Sequence, residues 1–286
     1  MLYLSQFNFP GQQAENHFIT DIKRTCYDTV YPFKILSQLE MPVMTFEPVT
    51  ILCGGNGSGK TTALNVIGEA LGLERDTLYN RSSFFDDYIK LCSYRLCKAL
   101  PAASRVITSD DVFDYVLNLR MMNEGIDMRR EEMFEDYLDA KYSDFHFKTM
   151  EDYERLKKVN LTRRTTQSRY VRKGLMDNVR EHSNGESAFK YFVQKTESEG
   201  LYLMDEPENS LSTARQKELA EYIRDTARFF GGQFIIATHS PFIASIEGAK
   251  VYDMDETPVA EKKWTQIANI REYYDFFREH ESEFED

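Results

Sequence analysis

Between Pro48 and Thr62 the chain reads PVTILCGGNGSGKTT. A short β-branched apolar run meets a glycine-rich turn and passes directly into a helical pattern with Leu64, Ile67 and Leu71 on one face. Gly54, Gly59, Lys60 and Thr61 satisfy the spacing GxxxxGK[ST]. Each of these residue types answers a chemical need. Glycines let consecutive backbone N–H groups turn inward onto phosphate oxygens, a lysine spans the β and γ phosphates, and a threonine hydroxyl reaches Mg²⁺, all over a helix N-terminus. Gly54, Gly55, Asn56, Gly57, Ser58, Gly59, Lys60, Thr61 and Thr62 are therefore the candidate nucleotide-binding residues, with ATP and Mg²⁺ as the expected ligands and Thr61 as a candidate metal ligand. Gly72 is placed to stop the helix.

The same strand-then-polar-turn pattern recurs twice. GLYLMDEP (200–207) is an apolar run closed by two acids and a proline, and GGQFIIATHSP (231–241) is an apolar run closed by a histidine. The segment between them has Ser212 as an N-cap and Leu219, Ile223 and Ala227 at helical spacing. Strand, helix, strand predicts a parallel sheet. AKVYDMDE (249–256) predicts one more strand, and the chain from Asn269 onward reads as an acidic amphipathic helix carrying Tyr273, Phe276, Phe277 and Phe284. Residues 76–180 have few glycines and mostly helical patterns, and are expected to form a helical insertion or lid within a single domain spanning 1–286.

Strand ends that share an edge with a phosphate loop are where ligands meet an α/β sheet. Asp205, closing its strand, is expected to bind the metal beside Thr61. Glu206 follows it and is the candidate to orient or deprotonate an attacking water. His239 closes another strand and is expected to face the γ-phosphate, although a lone histidine there also suits a structural hydrogen bond.

Composition narrows the partners. A net charge of −12 and 29% charged residues argue against coating nucleic acid over the whole surface. A local basic window remains: Arg155, Lys157, Lys158, Arg163, Arg164, Arg169, Arg172, Lys173 and Arg180. It reads as a solvated helix face, a phosphate-facing segment of a nucleotide site, or a nucleic-acid patch. The four cysteines lack the pairing of a zinc site or a disulfide framework. With no signal-like start and no long apolar run, a cytoplasmic protein without membrane insertion is expected.

Taken in order, GGNGSGKTT, SNGES (183–187), LYLMDEPENSLS and IIATHS resemble the Walker A, signature, Walker B with D-loop, and histidine switch of the ABC-type ATPase superfamily. They are most similar to its small stand-alone predicted ATPases, relatives of the ATPase domains of OLD nucleases and of RecF and SMC proteins. The match is specific over 43–72 and 181–255. It implies an α/β fold: a P-loop NTPase, ABC-type sandwich with a mostly parallel central sheet, an N-terminal antiparallel β element and a helical insertion. It also implies an ATPase that forms an ATP-dependent homodimer, in which Ser183, Gly185 and Glu186 of one copy complete the nucleotide site of the other. The resemblance further implies that Glu206, His239 and Lys60 are catalytic and that Thr61 and Asp205 hold Mg²⁺.

In this sequence Asn184 stands where close relatives carry histidine, and Gly55 where an acid is frequent. Ser109 or Asp110 is placed as the Q-loop residue, and Tyr31 or Phe33 as the adenine-stacking ring. Hydrolysis driving a conformational switch on a partner is the leading expectation. An ATP-gated module for DNA or an effector protein, with slow turnover in genome maintenance or phage defence, is the alternative. A transporter's nucleotide-binding subunit fits less well, because the signature is SNGES and not LSGGQ.

Overall fold

The computed structural model describes residues 1–23, 27–144, 146, 150–175, 184–197 and 199–285. In chain order the elements are β1 (Leu4–Asn8), α1 (Gln12–Asp21), β2 (Met44–Thr45), β3 (Val49–Cys53), α2 (Lys60–Ala70), α3 (Phe85–Leu91), β4 (Ser93–Leu96), β5 (Arg105–Thr108) and α4 (Ser109–Tyr142). There follow α5 (Tyr153–Arg164), α6 (Gln167–Gly174), α7 (Asn184–Lys195), β6 (Gly200–Asp205), α8 (Thr213–Phe229), β7 (Gly232–Thr238), α9 (Pro241–Ala244), β8 (Lys250–Asp253), β9 (Ala260–Glu261) and α10 (Ala268–Glu279).

Six strands form the central sheet in the order β5-β6-β7-β3-β8-β9, parallel throughout except for β9, which runs antiparallel to β8. Parallel strands covered on both faces read as unbroken apolar runs, and every residue of β3 and β7 is buried. Register then fixes the functional edge. Cys53 pairs with Thr238 and with Asp253, Asp205 pairs with Ala237, and Thr108 pairs with Asp205. The C-terminal ends of β5, β6, β7, β3 and β8 therefore lie along one line.

A second sheet, β2-β1-β4, is antiparallel and supplies the expected N-terminal β element. Gln233 of β7 joins the two sheets from the buried interior. Its side-chain oxygen accepts from the N–H groups of Tyr3 and Leu4 at 2.7 and 2.9 Å, and its amide donates to Leu4 O at 2.8 Å. Between the sheets, α2 buries Leu64, Val66 and Ile67 in a cluster with Leu52, Leu203, Ile235 and Phe7. Gly68 lets this helix approach closely: a Cβ there would stand 2.7 Å from Val106 Cγ2.

Residues 1–113 with 184–286 make one compact unit, and residues 114–183 make a second. The sequence placed its helical insertion at 76–180; β4 and β5, at 93–96 and 105–108, are strands of the two sheets. The passage from β5 into α4 needs no loop, because Thr108 and Asp111 form a reciprocal cap. Thr108 N–H donates to Asp111 Oδ2 at 2.6 Å, and Asp111 N–H donates to Thr108 Oγ1 at 3.3 Å.

Inside the second unit Tyr137, Val159 and Val171 are buried, and the Tyr137 hydroxyl donates to Thr165 O at 2.8 Å. Of its basic residues, Lys157 pairs with Glu154 and Lys158 with Asp136, each at 2.8 Å; Arg180 lies outside the described residues. No described helix is long and apolar enough to cross a membrane.

Candidate active site

The phosphate loop leaves β3 at Cys53 and enters α2 at Lys60, as the strand–turn–helix pattern requires. Gly57 and Gly59 adopt φ of +84° and +85°, in the left-handed region that side chains disfavour. A methyl at Gly59 would also meet Leu39 Cδ1 at 3.1 Å. Asn56 and Gly57 are exposed, whereas Ser58, Lys60 and Thr62 are buried. The Lys60 ammonium is held by the loop's own carbonyls, donating to Gly54 O at 2.9 Å and Gly55 O at 2.7 Å. Its nearest carboxylate oxygen is Glu206 Oε1, 3.7 Å away.

Thr61 and Asp205, 144 positions apart in the chain, meet: the threonine hydroxyl donates to Asp205 Oδ1 at 3.0 Å. Burial pushes the Asp205 carboxyl up to about 6, with the Thr61 hydrogen bond opposing and the Glu206 charge adding to the rise. A buried carboxylate whose ionised form is this disfavoured, beside a hydroxyl oxygen, suits a divalent cation as its missing partner. The residues present thus fit Mg²⁺, with Thr61 and Asp205 as its protein ligands.

Glu206 is held in a left-handed conformation, φ 45° and ψ 54°, at the first step beyond β6. Its N–H extends the sheet ladder to Ala237 O at 2.9 Å, so the unusual backbone is fixed by the neighbouring strand. Asn209 Nδ2 donates to its Oε2 at 3.0 Å, and Oε1 lies 3.9 Å from His239 Nδ1. The candidate base, the phosphate-loop lysine and the histidine therefore surround one position, as register alone demanded. His239 also borders an open cleft with Gly55, Asn56 and, from α10, Asn269 and Glu272.

Among the signature residues, Ser183 lies outside the described residues. Gly185 opens α7, where a Cβ would stand 3.9 Å from Ser210 O and from Ser212 N, and Glu186 faces Lys190 at 3.5 Å. Ser109 and Asp110 occupy the first turn of α4. Phe33 is a core residue, stacked on Phe18 at 4.8 Å, while Tyr31 is half-buried with its hydroxyl donating to Thr62 Oγ1 at 3.3 Å.

Two residues of this region were missed from sequence. Glu208 is buried beneath His239, and Asp255 accepts the Gly55 N–H on both carboxylate oxygens, at 2.8 and 3.0 Å. Asp255 explains the glycine at position 55. A Cβ on Gly55 would lie 3.7 and 3.8 Å from the Asp255 oxygens, so an acid there would bring two carboxylates together. Gly55→Glu is accordingly expected to lower thermal stability by about 0.5–1 kcal/mol, and Asp255→Ala to cancel much of that loss when the two are combined. Melting curves of the two single variants and the double variant measure the coupling.

Residues 184–244, from the start of α7 to the end of α9, match the AAA ATPase domain family. The matched stretch takes in the strand end that carries Asp205 and Glu206 and the turn that carries His239. The ATP-binding protein YdbJ of Bacillus subtilis, named as an uncharacterized ABC transporter component, is 24% identical over 207 residues. That alignment takes in 72% of this chain and 56% of the relative, so the chain spans little more than half the length of the curated protein it matches.

Among solved structures, an Smc head domain with an extended coiled coil, bound to the C-terminal domain of ScpA and derived from Pyrococcus furiosus, has a TM-score of 0.44 at 14% identity. The alignment covers 96% of this chain and all of that one. The SMC head domain of Thermotoga maritima has a TM-score of 0.38 at 13% identity, over 77% of this chain and 92% of that one. Both are distant likenesses.

Proposed function

We propose that the chain hydrolyses ATP at a composite site, closed when SNGES of a second copy meets the phosphate loop, and that this closure and release acts on a partner. The observation that carries the reading is the convergence of Lys60, the Thr61–Asp205 pair, Glu206 and His239 at adjacent strand ends. On the signature side, Gly185 lies near Ser210 and Ser212, and Glu186 pairs with Lys190 at 3.5 Å. The N-terminus of α7, which begins at Asn184, suits an anion.

In this reading the P-loop N–H groups and Lys60 bind the phosphates, and Lys60 offsets charge that develops on the transferred group. Thr61 and Asp205 would hold Mg²⁺, which would supply further neutralisation of phosphate charge. Glu206 orients the attacking water and takes its proton at a carboxylate oxygen; its short tether to β6 and the Asn209 contact keep that oxygen in place. His239 hydrogen-bonds the γ-phosphate and reports its presence. The second unit, 114–183, is read as an insertion through which closure is transmitted.

Light scattering on the Glu206→Gln protein tests the assembly. With ATP and Mg²⁺ the mass is expected to double from 33.5 kDa, and to stay single without nucleotide. A strictly monomeric ATP-loaded variant would sink the shared site.

The raised Asp205 gives a second check. Below about pH 6 the proton is retained and the metal must displace it, so Mg²⁺ affinity is expected to fall about tenfold per pH unit there and to be flat above. Asp205→Asn should bind Mg²⁺ weakly with that dependence removed, as read by titration calorimetry.

A further inference from the structure

The Glu208 side chain is 4% exposed, directly under the turn that carries His239. Its Oε1 accepts from Thr238 Oγ1 at 2.6 Å, from His239 N–H at 2.7 Å and from Ser240 N–H at 3.2 Å. Three donors from three consecutive residues thus converge on one oxygen. The second oxygen, Oε2, is buried and has no partner. His239 Nδ1 is likewise buried: it lies 3.2 Å from Glu208 Oε1, close enough for a hydrogen bond but not aligned for one, and no other group satisfies it.

A carboxylate oxygen and a ring nitrogen left unsatisfied side by side are costly, and such pairs need a reason. A modest turn of either group would pair them. Nδ1 is buried toward Glu208 while the side chain as a whole is 32% exposed, and His239 borders the cleft beside Gly55 and Asn56. Gln216 of α8 braces the arrangement. Its amide donates to Leu211 O at 3.0 Å, and its oxygen accepts from Ser240 Oγ at 2.7 Å. The segment after Glu206, the first turns of α8 and the His239 turn are in this way one hydrogen-bonded block.

We infer that Glu208 is the positioning residue of His239: its carboxylate accepts from Nδ1–H, which fixes the tautomer of the neutral ring and supports the imidazolium form in which Nε2–H donates to a phosphate oxygen of the nucleotide. The physical logic is that of any histidine whose second nitrogen is held by a carboxylate, where the hydrogen bond made by one nitrogen sets what the other can do. The sequence separation explains the choice of glutamate. The 207–210 turn runs beneath the end of β7, and a carboxylate there reaches Oγ1 of Thr238 and two N–H groups at once. The inference rests on the proposed role of His239 in ATP hydrolysis, but it concerns a proton position that can be read without nucleotide.

The experiment is long-range ¹H–¹⁵N NMR of the full-length chain with labelled histidines, at a pH where the rings are neutral. The five histidines are few enough to resolve, and His239 is assigned by its loss in His239→Gln. The expected result is an Nδ1–H tautomer in the wild type, shifted toward Nε2–H in Glu208→Gln. Steady-state ATPase assays accompany it. Glu208→Gln is expected to lower kcat about 10–100-fold at unchanged KM, the loss typical when the group orienting a functional histidine is removed, and to add nothing to the loss in His239→Gln.

A wild-type His239 carrying its proton on Nε2 overturns the inference without recourse to any variant. So do losses that multiply in the Glu208→Gln, His239→Gln double variant. A wild-type chain that does not hydrolyse ATP at all would instead sink the proposed function, and the tautomer measurement would still stand.

Discussion

Glu206→Gln is expected to reduce ATP hydrolysis by about 10²–10⁴-fold while leaving ATP binding in place, the cost of removing a positioned general base. Glutamine keeps the shape of the side chain and can still accept from Asn209, so the loss isolates the basic oxygen. The structure adds a second arm to this test. Glu206 occupies φ 45°, a conformation that a non-glycine residue adopts at a cost. Glu206→Gly removes that cost and is expected to gain about 0.5–1 kcal/mol of folding stability. The same variant is expected to be as inactive as the glutamine variant. A protein that becomes more stable as it loses hydrolysis would show that the backbone at 206 is strained for the reaction. Equal hydrolysis by Glu206→Gln and wild type would remove Glu206 from the chemistry.

The frame of this site was legible because short-range patterns coincide with what the sheet imposes. Three apolar runs of strand length, each closed by a polar turn, became β3, β6 and β7 with their ends in register. Ser212 caps α8, accepting from Arg215 N–H at 3.5 Å, and Leu219, Ile223 and Ala227 are buried as helical spacing required. The parts that escaped are those fixed by partners far along the chain. All four residues of β4 are exposed, so the alternation of Ser93, Tyr94, Arg95 and Leu96 marks no buried face; its pairing with β1 makes it a strand. Glu208 reads as a solvated acid in a polar turn, and it is buried because donors at 238–240 close over it. Asp255 looks like one acid among several in YDMDE, and it matters because β8 lies beside β3 in the sheet and delivers it to Gly55.

Lys60 shows why the nucleotide, and not the fold, sets the working geometry of this edge. Its ammonium is 3% exposed and satisfied by two backbone carbonyls of its own loop, an arrangement that keeps a buried cation paired while no phosphate is present. Glu206 at 3.7 Å completes that neutralisation. ATP brings anionic oxygens that compete for the same ammonium, so binding is expected to loosen the Lys60–Glu206 approach and release the carboxylate toward water.

The proposed sharing of one site between two copies makes the largest qualitative prediction. Lys60→Ala removes the buried cation from the phosphate loop, and such truncations typically cost about 2–5 kcal/mol of binding, so this variant is expected to be inactive by itself. Ser183→Arg places a bulky cation in the signature turn and is expected to be inactive through failure to close on the neighbour's nucleotide. Mixed, the two are expected to recover activity. In a symmetric pair each interface is used twice, so a dimer of one variant with the other has one site built from both damaged parts and one built from both intact parts. With random pairing about half the dimers are mixed and half of their sites are intact, giving about a quarter of wild-type turnover if the sites act independently. Turnover that stays at the level of the separate variants, in a mixture shown by mass to contain mixed dimers, would mean that each copy works alone. A recovery would place Lys60 and Ser183 on opposite sides of one nucleotide, using only the rate of ATP hydrolysis as the readout.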